Sequence, residues 1–491
     1  MRQLAMADAM FVLAEQPQRN TNHIGMVFVF DPATAGRPVT FDDFLELYRR
    51  RVPLARGFRE KLVRVPLDLD YPWWIDDDAF DLEFHVRHAA LPRPGTRAQF
   101  FATVNRIMSL PLDMSRPLWE AWMIEGLDGI EGMPRGSFAL LSKMHHAAVD
   151  GISGMEMITA VLEDEASAAA KMPKGKWRGE KAPEPGKLLL KALGSGWTSQ
   201  LKLTDALLKA VPRLAANREK LKSGAAVKPK RGKAPKTRFN GPVTPHKVLE
   251  GRSFAFAGVK ALKDAVPGAT INDVVLAVIG GSLRRYLTAH GELPGESLVV
   301  TVPISLRTAE QAGTGGNQLA MAFVPVHTEI ADPRERLLAV GAEMRAVKDY
   351  NAAVDGRTLA DTTAAMPGML MGLAMRAITA LPASDMIRIS NAVVTNVPGP
   401  LAPMTLLGAR YLEGFGAGPS TDGIGLVHAI TSLSGVLSIG FSACREMMPD
   451  PAFYGQCIAD SFAELKVAID GAAVNSAGPK ARAARMGKRR R

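Results

Sequence analysis

The stretch from Ser142 to Glu156, SKMHHAAVDGISGME, constrains the fold of this chain more than any other. An apolar run (Phe138, Ala139, Leu140, Leu141) precedes it and reads as a short buried strand. His145 and His146 stand at the end of that strand. Asp150 and Gly151 follow, and a helix then begins. Ser153 with Glu156 three residues on has the spacing of a capping box, and Met155, Ile158 and Leu162 give the helix its apolar stripe. A histidine pair thus lies on a tight connection between strand and helix.

That placement suits proton transfer. A neutral imidazole accepts a proton near pH 7, and does so best when its orientation is fixed. Asp150, four residues after His146, can hold the loop and the ring without being consumed. Gly151 lets the backbone turn where a side chain would clash. Two plainer readings stand beside catalysis. A histidine at a strand end is often a hydrogen-bonded core residue. A metal site could also draw on His145, His146 and Asp150, but neighbours on a strand point to opposite faces and chelate one ion poorly.

Elsewhere the chain alternates strands and helices in two blocks, so the fold class is α/β with two lobes. Residues 1–165 form the first. His23 to Phe30 reads as a strand, Phe41 to Arg51 as a helix, and Trp73 to Ile75 and Phe84 to Val86 as strand-like. Phe100 to Leu110 reads as a helix and Leu118 to Ile124 as a strand. Residues 166–244 change character. They are rich in Pro, Gly and Lys around one leucine-rich amphipathic segment that Pro212 kinks or ends, and they read as a basic helical linker. The apolar stripe of that segment docks on the protein or on a membrane.

The second block spans 245–478. Its strands are Ser253 to Ala257, Leu298 to Val302, Leu319 to Val326, Ala392 to Asn396 and Leu437 to Ser442. Its helices run from the Thr270 cap to Tyr286, over Asp332 to Tyr350, over the Met-rich stretch Met366 to Leu381, and over Pro451 to Asp470 with Gly471 just past the end. Residues 479–491 form a basic disordered tail.

Composition enters at three points. Two cysteines among 491 residues, Cys444 and Cys457, make no CxxC pair, which argues against a disulfide scaffold and fits a reducing compartment. Asp8 and Glu15 interrupt the apolar N-terminus, so a signal peptide is not expected, and no uncharged apolar run is long enough for a membrane span. The net charge of +11 is concentrated in one run from Lys228 to Arg238 and another from Lys480 to Arg491. Neither run has interleaved aromatics for base stacking, so no nucleic-acid partner is expected. Basic clusters beside apolar helices attract anionic headgroups by about 1 kcal/mol per charge, and a solvated tail is the other reading. No glycine-rich phosphate loop occurs, so a nucleotide-bearing ligand must be held in another way.

HHAAVDG fits the HHxxxDG pattern of the CoA-dependent acyltransferase superfamily. More narrowly, the chain resembles the bacterial wax ester synthase/diacylglycerol acyltransferase family, nearly end to end. Asn22-His23-Ile24-Gly25 leads into a strand. Arg116-Pro117-Leu118-Trp119-Glu120 is similar to that family's PLW motif, and Thr270 to Leu276 (TINDVVL) to its ND motif. Val302-Pro303-Ile304-Ser305-Leu306-Arg307, Gly316-Asn317 and Asn396-Val397-Pro398-Gly399-Pro400 follow in family order.

The resemblance implies two chloramphenicol-acetyltransferase-like lobes with mixed sheets and a tunnel at their junction. It implies transfer of a long acyl chain from acyl-CoA to diacylglycerol or a long-chain alcohol, by direct attack with no acyl-enzyme. His146 would be the general base, His145 its support, Asp150 structural, and Gly151 the turn. Asn272 would hydrogen-bond near the reacting carbonyl beside the capping acid Asp273, although both also suit a plain helix N-terminus. Ser305, Arg307 and Asn317 would line the second lobe's side of the tunnel, and Arg116 would be structural. No cofactor or metal is implied, because acyl-CoA is a substrate. The place of work would be the cytoplasm, with peripheral contact to an anionic membrane or lipid droplet. The alternatives are another alcohol or condensation-type acyltransferase on the same fold, or a non-catalytic lipid-binding relative.

Overall fold

The computed structural model describes residues 1–16, 18–148, 153–162, 178–224, 234–305, 319–354, 365–380 and 388–476. In chain order the first half holds β1 (Arg2–Gln3), α1 (Met6–Leu13), β2 (His23–Asp31), α2 (Phe41–Arg51), β3 (Glu60–Val63), β4 (Trp73–Asp76), α3 (Leu82–His85), β5 (Val86–Ala90), α4 (Arg97–Ser109), β6 (Trp119–Glu125), β7 (Phe138–His145) and α5 (Ser153–Leu162). One long helix, α6 (Pro185–Lys222), connects the halves. The second half holds β8 (Lys247–Ala255), α7 (Phe256–Asp264), α8 (Ile271–Ala289), β9 (Val299–Ser305), β10 (Leu319–Pro325), α9 (Pro333–Ala353), α10 (Gly368–Ala380), β11 (Ala392–Pro398), β12 (Thr405–Leu406), β13 (Ala409–Ala417), β14 (Leu426–Leu433), β15 (Val436–Cys444) and α11 (Pro451–Ser476).

Two six-stranded mixed sheets organise these elements, in the orders β12-β13-β2-β7-β6-β5 and β10-β9-β11-β14-β15-β8. A small sheet, β1-β4-β3, stands beside the first. The first large sheet carries a core on each face, which is why β2 and β7 read as nearly unbroken apolar runs. Along β2, Val27 and Val29 enter one core with Val104 and Ile107 of α4, while Phe28 and Phe30 enter another with Phe44 and Leu47 of α2. In the second half α8, α9 and α11 pack one continuous core onto the sheet. A capping box starts α8: Asp273 N donates to Thr270 Oγ1 (3.2 Å) and Thr270 N to Asp273 Oδ2 (2.8 Å).

The halves are sewn together by a strand exchange. β13 lies in the second half of the chain, yet it pairs antiparallel with β2 and completes the first sheet. It also packs against β14 and β15 of the second sheet. Backbones approach closely there. A Cβ built on Gly440 would stand 3.0 Å from the backbone of Gly416, and one on Gly416 would stand 2.7 Å from the Ala429 Cβ. Helix α4 braces the seam, with the Arg97 guanidinium reaching Glu250 (3.1 Å), Glu413 (3.3 Å) and the Gly251 carbonyl (2.8 Å).

Several elements differ from the sequence expectation. Phe84 and His85 lie in a helical turn, because the Asp81 carboxylate accepts from Glu83 N (3.1 Å) and starts α3. β8 begins at Lys247 rather than Ser253, since β15 offers a partner along its whole length. Pro212 does not end α6, which runs 38 residues through it. α11 runs past Gly471 to Ser476. β12, β13 and β14 carried no expectation. The basic run at 228–233, the tail after 478 and the Ser153–Glu156 side chains lie outside the described residues.

Candidate active site

β7 ends in the pair His145–His146, and the next residues, His146–Ala148, form a single 3-10 turn. Two backbone bonds and one strand register fix this end. His145 N donates to Leu118 O of the PLW segment (3.0 Å), His146 N donates to Asn22 O (2.8 Å), and β2 places His23 opposite His145. Asn22 ties a second element in, because its Nδ2 donates to Phe11 O (2.6 Å).

The two rings part, as neighbours at a strand end should. His145 is fully buried on the side that carries Lys143. Its Nδ1 accepts from Ala147 N (3.1 Å), so its proton sits on Nε2. That Nε2 lies 3.3 Å from Glu15 Oε2, in contact but outside hydrogen-bond alignment. His146 goes the other way and stacks on Phe11, with ring centroids 3.7 Å apart and planes at 17°. Its Nδ1 is buried with no partner among the described residues. Burial is the main cause that pushes the His146 imidazole down to about 4, and the neighbouring His145 adds to it. His146 is therefore neutral at pH 7 and free to accept a proton.

Beneath the pair lies a buried nest of polar groups. His23 Nε2 accepts from Leu112 N (3.4 Å) and stands 3.7 Å from Glu15 Oε1. Burial, with Lys143, Lys247 and His145 nearby, holds His23 well below its ordinary range. Lys143 Nζ donates to Ile107 O (3.0 Å) and Leu110 O (2.6 Å), and burial lowers its ammonium to about 8. Lys247, which arrives from β8 in the second half, donates to Thr21 O (2.7 Å). Burial, with Lys143 adding to it and Glu15 opposing both, lowers its ammonium to about 7. The Glu15 carboxylate is the counter-charge of this nest, facing both buried histidines. In the sequence, Glu15 speaks only against a signal peptide. The available signals are a carboxylate just past the apolar helix α1 and a lysine, Lys143, inside an apolar strand.

The remaining expected residues divide in two. Asp150, Gly151, Arg307 and Asn317 lie outside the described residues. Ser305 closes β9, and no description covers its side chain. Asn272, at the start of α8, accepts from Asn396 Nδ2 at 2.6 Å, so the ND and NVPGP segments meet. Asp273 is buried and engaged in its capping box. Because β9 and β11 are parallel neighbours, Ser305, Asn272 and Asn396 gather at one end of the second sheet, the carboxyl end where ligands of such sheets bind. Arg116 lies over the Phe84 ring at 4.0 Å and 3.5 Å from Asp113.

An apolar cavity of about 660 Å³ opens at this junction. Met26 and Phe28 of β2, Ile158 and Val161 of α5, and the stretch from Val397 at the end of β11 to Leu407 line it, and Arg51 is the one charged group among its described lining. His146 does not line it. α5, the helix that follows the histidine pair in sequence, contributes Ile158, Val161 and Leu162 to the lining. Among the described residues no cluster of three His, Cys, Asp or Glu side chains could hold a metal ion, and no helix is long and apolar enough to cross a membrane. Cys444 and Cys457 are buried and form no disulfide.

The architecture is shared with known structures. It matches a wax ester synthase/diacylglycerol acyltransferase from Marinobacter aquaeolei VT8 with a TM-score of 0.66 at 24% identity, over 95% of this chain and 100% of the other. It also matches the starter condensation domain of rhizomide synthetase RzmA, solved with C8-CoA, with a TM-score of 0.52 at 14% identity over 96% and 95%. The fold is thus the two-lobed one of the chloramphenicol-acetyltransferase type. The wax ester synthase/diacylglycerol acyltransferase catalytic-domain model matches residues 4–275, and the model of that family's C-terminal domain matches residues 315–466. Rv1760 of Mycobacterium tuberculosis, provisionally named a diacylglycerol O-acyltransferase, is 33% identical over 94% of this chain and 89% of its own length. A Mycobacterium bovis protein named in the same way, Mb3761c, is 30% identical over 90% of this chain and 94% of its own length. The chain belongs to the wax ester synthase/diacylglycerol acyltransferase family, and it is an acyltransferase.

Proposed function

We propose that the protein moves a long acyl chain from acyl-CoA to the hydroxyl of diacylglycerol, and in a second use to that of a long-chain alcohol. His146 is the general base. The alcohol oxygen attacks the thioester carbonyl as its proton passes to the imidazole. The tetrahedral centre collapses by breaking the C–S bond, and the imidazolium returns the proton to the CoA sulfur. No acyl-enzyme forms, and both cysteines are buried away from this role.

The reading is supported by a buried, neutral imidazole at the end of β7 and by an apolar cavity that the neighbouring strand β2 and the following helix α5 both line. A cavity of this size falls within the range for ligands the size of a fatty chain (roughly 300–1,000 Å³). The Glu15 nest supports His145, and through the bond from Ala147 N that ring shapes the turn carrying His146. Such lipid acceptors reside in membranes or lipid inclusions, so the protein works at a lipid surface. The names of the mycobacterial relatives favour diacylglycerol as acceptor.

The test supplies palmitoyl-CoA with diolein or with hexadecanol and follows thiol release and ester product. Triacylglycerol formation is the expected result. His146→Ala should lower turnover about a hundredfold or more while circular dichroism and melting stay unchanged. A variant that keeps most of its rate removes His146 from the role of base.

A further inference from the structure

The turn Pro66–Asp68 leads into β4 and carries Leu67 at 80% exposure. Leu67 stands at φ 59°, a left-handed conformation that costs energy for any residue with a Cβ. Two helices flank this turn. On one side is α10, which has Arg376 as its only charged residue. Its inner face (Gly368, Met371, Gly372, Met375) is buried, while Met369, Leu370 and Leu373 face out at 46%, 46% and 56% exposure. On the other side is the start of α6, where Leu188 and Ala192 pack on Val65 and Trp73 while Leu190 and Leu193 are exposed. Exposed Leu201, Leu208 and Val211 continue the stripe along the same side of α6 at helical spacing.

A helix that is apolar on its outer face, beside an outward-held leucine and a second apolar stripe, is a large patch for water to cover. Charge says what covers it. Arg64 and Arg376, half or more exposed, rim the turn and share Asp68. α6 carries eight Lys or Arg against two Asp or Glu, with Lys187 and Lys209 well exposed. Apolar side chains ringed by cations match an interface of acyl chains beneath anionic headgroups.

We propose that the Pro66–Asp68 turn, with α10 and the start of α6 on either side, docks on an anionic phospholipid surface. The inference rests on the lipid-acceptor reading above and gives that reading a direction. Met371 and Met375 of α10 pack in one cluster with Leu4, Val12 and Ala147, and Phe11 packs against that cluster while it stacks on His146. The docked face is therefore separated from the histidine by two helix layers, α10 and α1, ~20 Å.

Flotation of the full chain with phosphatidylcholine vesicles, with and without a third of phosphatidylglycerol, tests this. The wild type should float with the anionic vesicles and lose most binding in high salt. Leu67→Glu/Leu370→Glu/Leu373→Glu should bind at least tenfold less while keeping its melting temperature. Leu190→Glu/Leu193→Glu, on a separate helix, should do the same and guards against a folding artefact. Turnover of palmitoyl-CoA with cyclodextrin-carried hexadecanol should be unchanged in both variants, while turnover of diolein in vesicles falls. Wild-type binding by both variants overturns the proposal, as does failure of the wild type to bind anionic vesicles. Variants that only convert a dimer to a monomer, with vesicle binding intact, make this a self-association face and also overturn it. Loss of vesicle binding in the variants, from a wild type that turns over neither acceptor, supports the docking face and sinks the acyl-transfer reading instead.

Discussion

His146 titrates in an unusual place for a histidine, and the cause is local. Burial against Phe11 holds it at about 4, well under the ordinary value. The base is therefore in its working form throughout the neutral range. The acid limb of kcat/KM should fall between about pH 4 and 5, not near 6.5. Phe11→Ala lets water onto the ring and should move that limb upward, which a pH–rate profile of the two proteins will read. Asn22 holds both Phe11 and His146, one through its side chain and one through its carbonyl. Asn22→Ala leaves the carbonyl but frees Phe11 O, and should cost about 1–3 kcal/mol in denaturant unfolding together with a drop in kcat. The buried histidines also make stability depend on pH. His146, His23 and His428 are all depressed by burial, so below about pH 6.5 the unfolded chain binds protons that the folded chain refuses. Stability should fall as the pH drops from about 6.5 through 4, and the melting temperature should be lower at pH 5 than at pH 7.

At the scale of elements, the seam sets the sharpest limits. Gly440 and Gly416 sit where two sheets touch backbone to backbone. Gly440→Ala should destabilise by about 1–3 kcal/mol through overpacking, measured as a shift of the denaturation midpoint with unchanged slope. Elements with strong local signals were legible from sequence. Phe138 to His145 announced a buried strand, and Thr270 with Asp273 announced a capped helix. Elements whose cause is distant were not. β13 reads ARYLEGFGA, glycine-containing and half polar, and becomes a strand because β2 presents an unpaired edge far away in the chain. Gly471 resembles a stop signal, but α11 continues through it. The site divides along the same line. The histidine pair was legible because its motif is contiguous. Glu15, Lys143 and Lys247 were not, because three remote segments build one nest around His145.

At the scale of the whole molecule, the first half does not own its sheet, because β12 and β13 come from the second. A fragment of residues 1–224 would keep β2 as an open, apolar edge, a template for wrong pairing. That fragment should be insoluble or aggregate on size-exclusion chromatography, and co-expression with residues 234–491 should recover soluble material. The Lys247 bond to Thr21 O adds to the same interdependence, since the nest beneath the histidines also draws on both halves.

The exchanged strand also sets a schedule for biosynthesis. β2 emerges among the first thirty-one residues, but its partner begins at residue 409. At about 5–20 residues per second, a ribosome takes roughly 20–80 s to supply it. For that interval a ribbon of valine and phenylalanine waits unfinished on one side. Cells that make this enzyme must shelter the nascent chain until nearly all of it has been synthesised, and slow translation beyond the linker would raise the risk of loss rather than improve the yield.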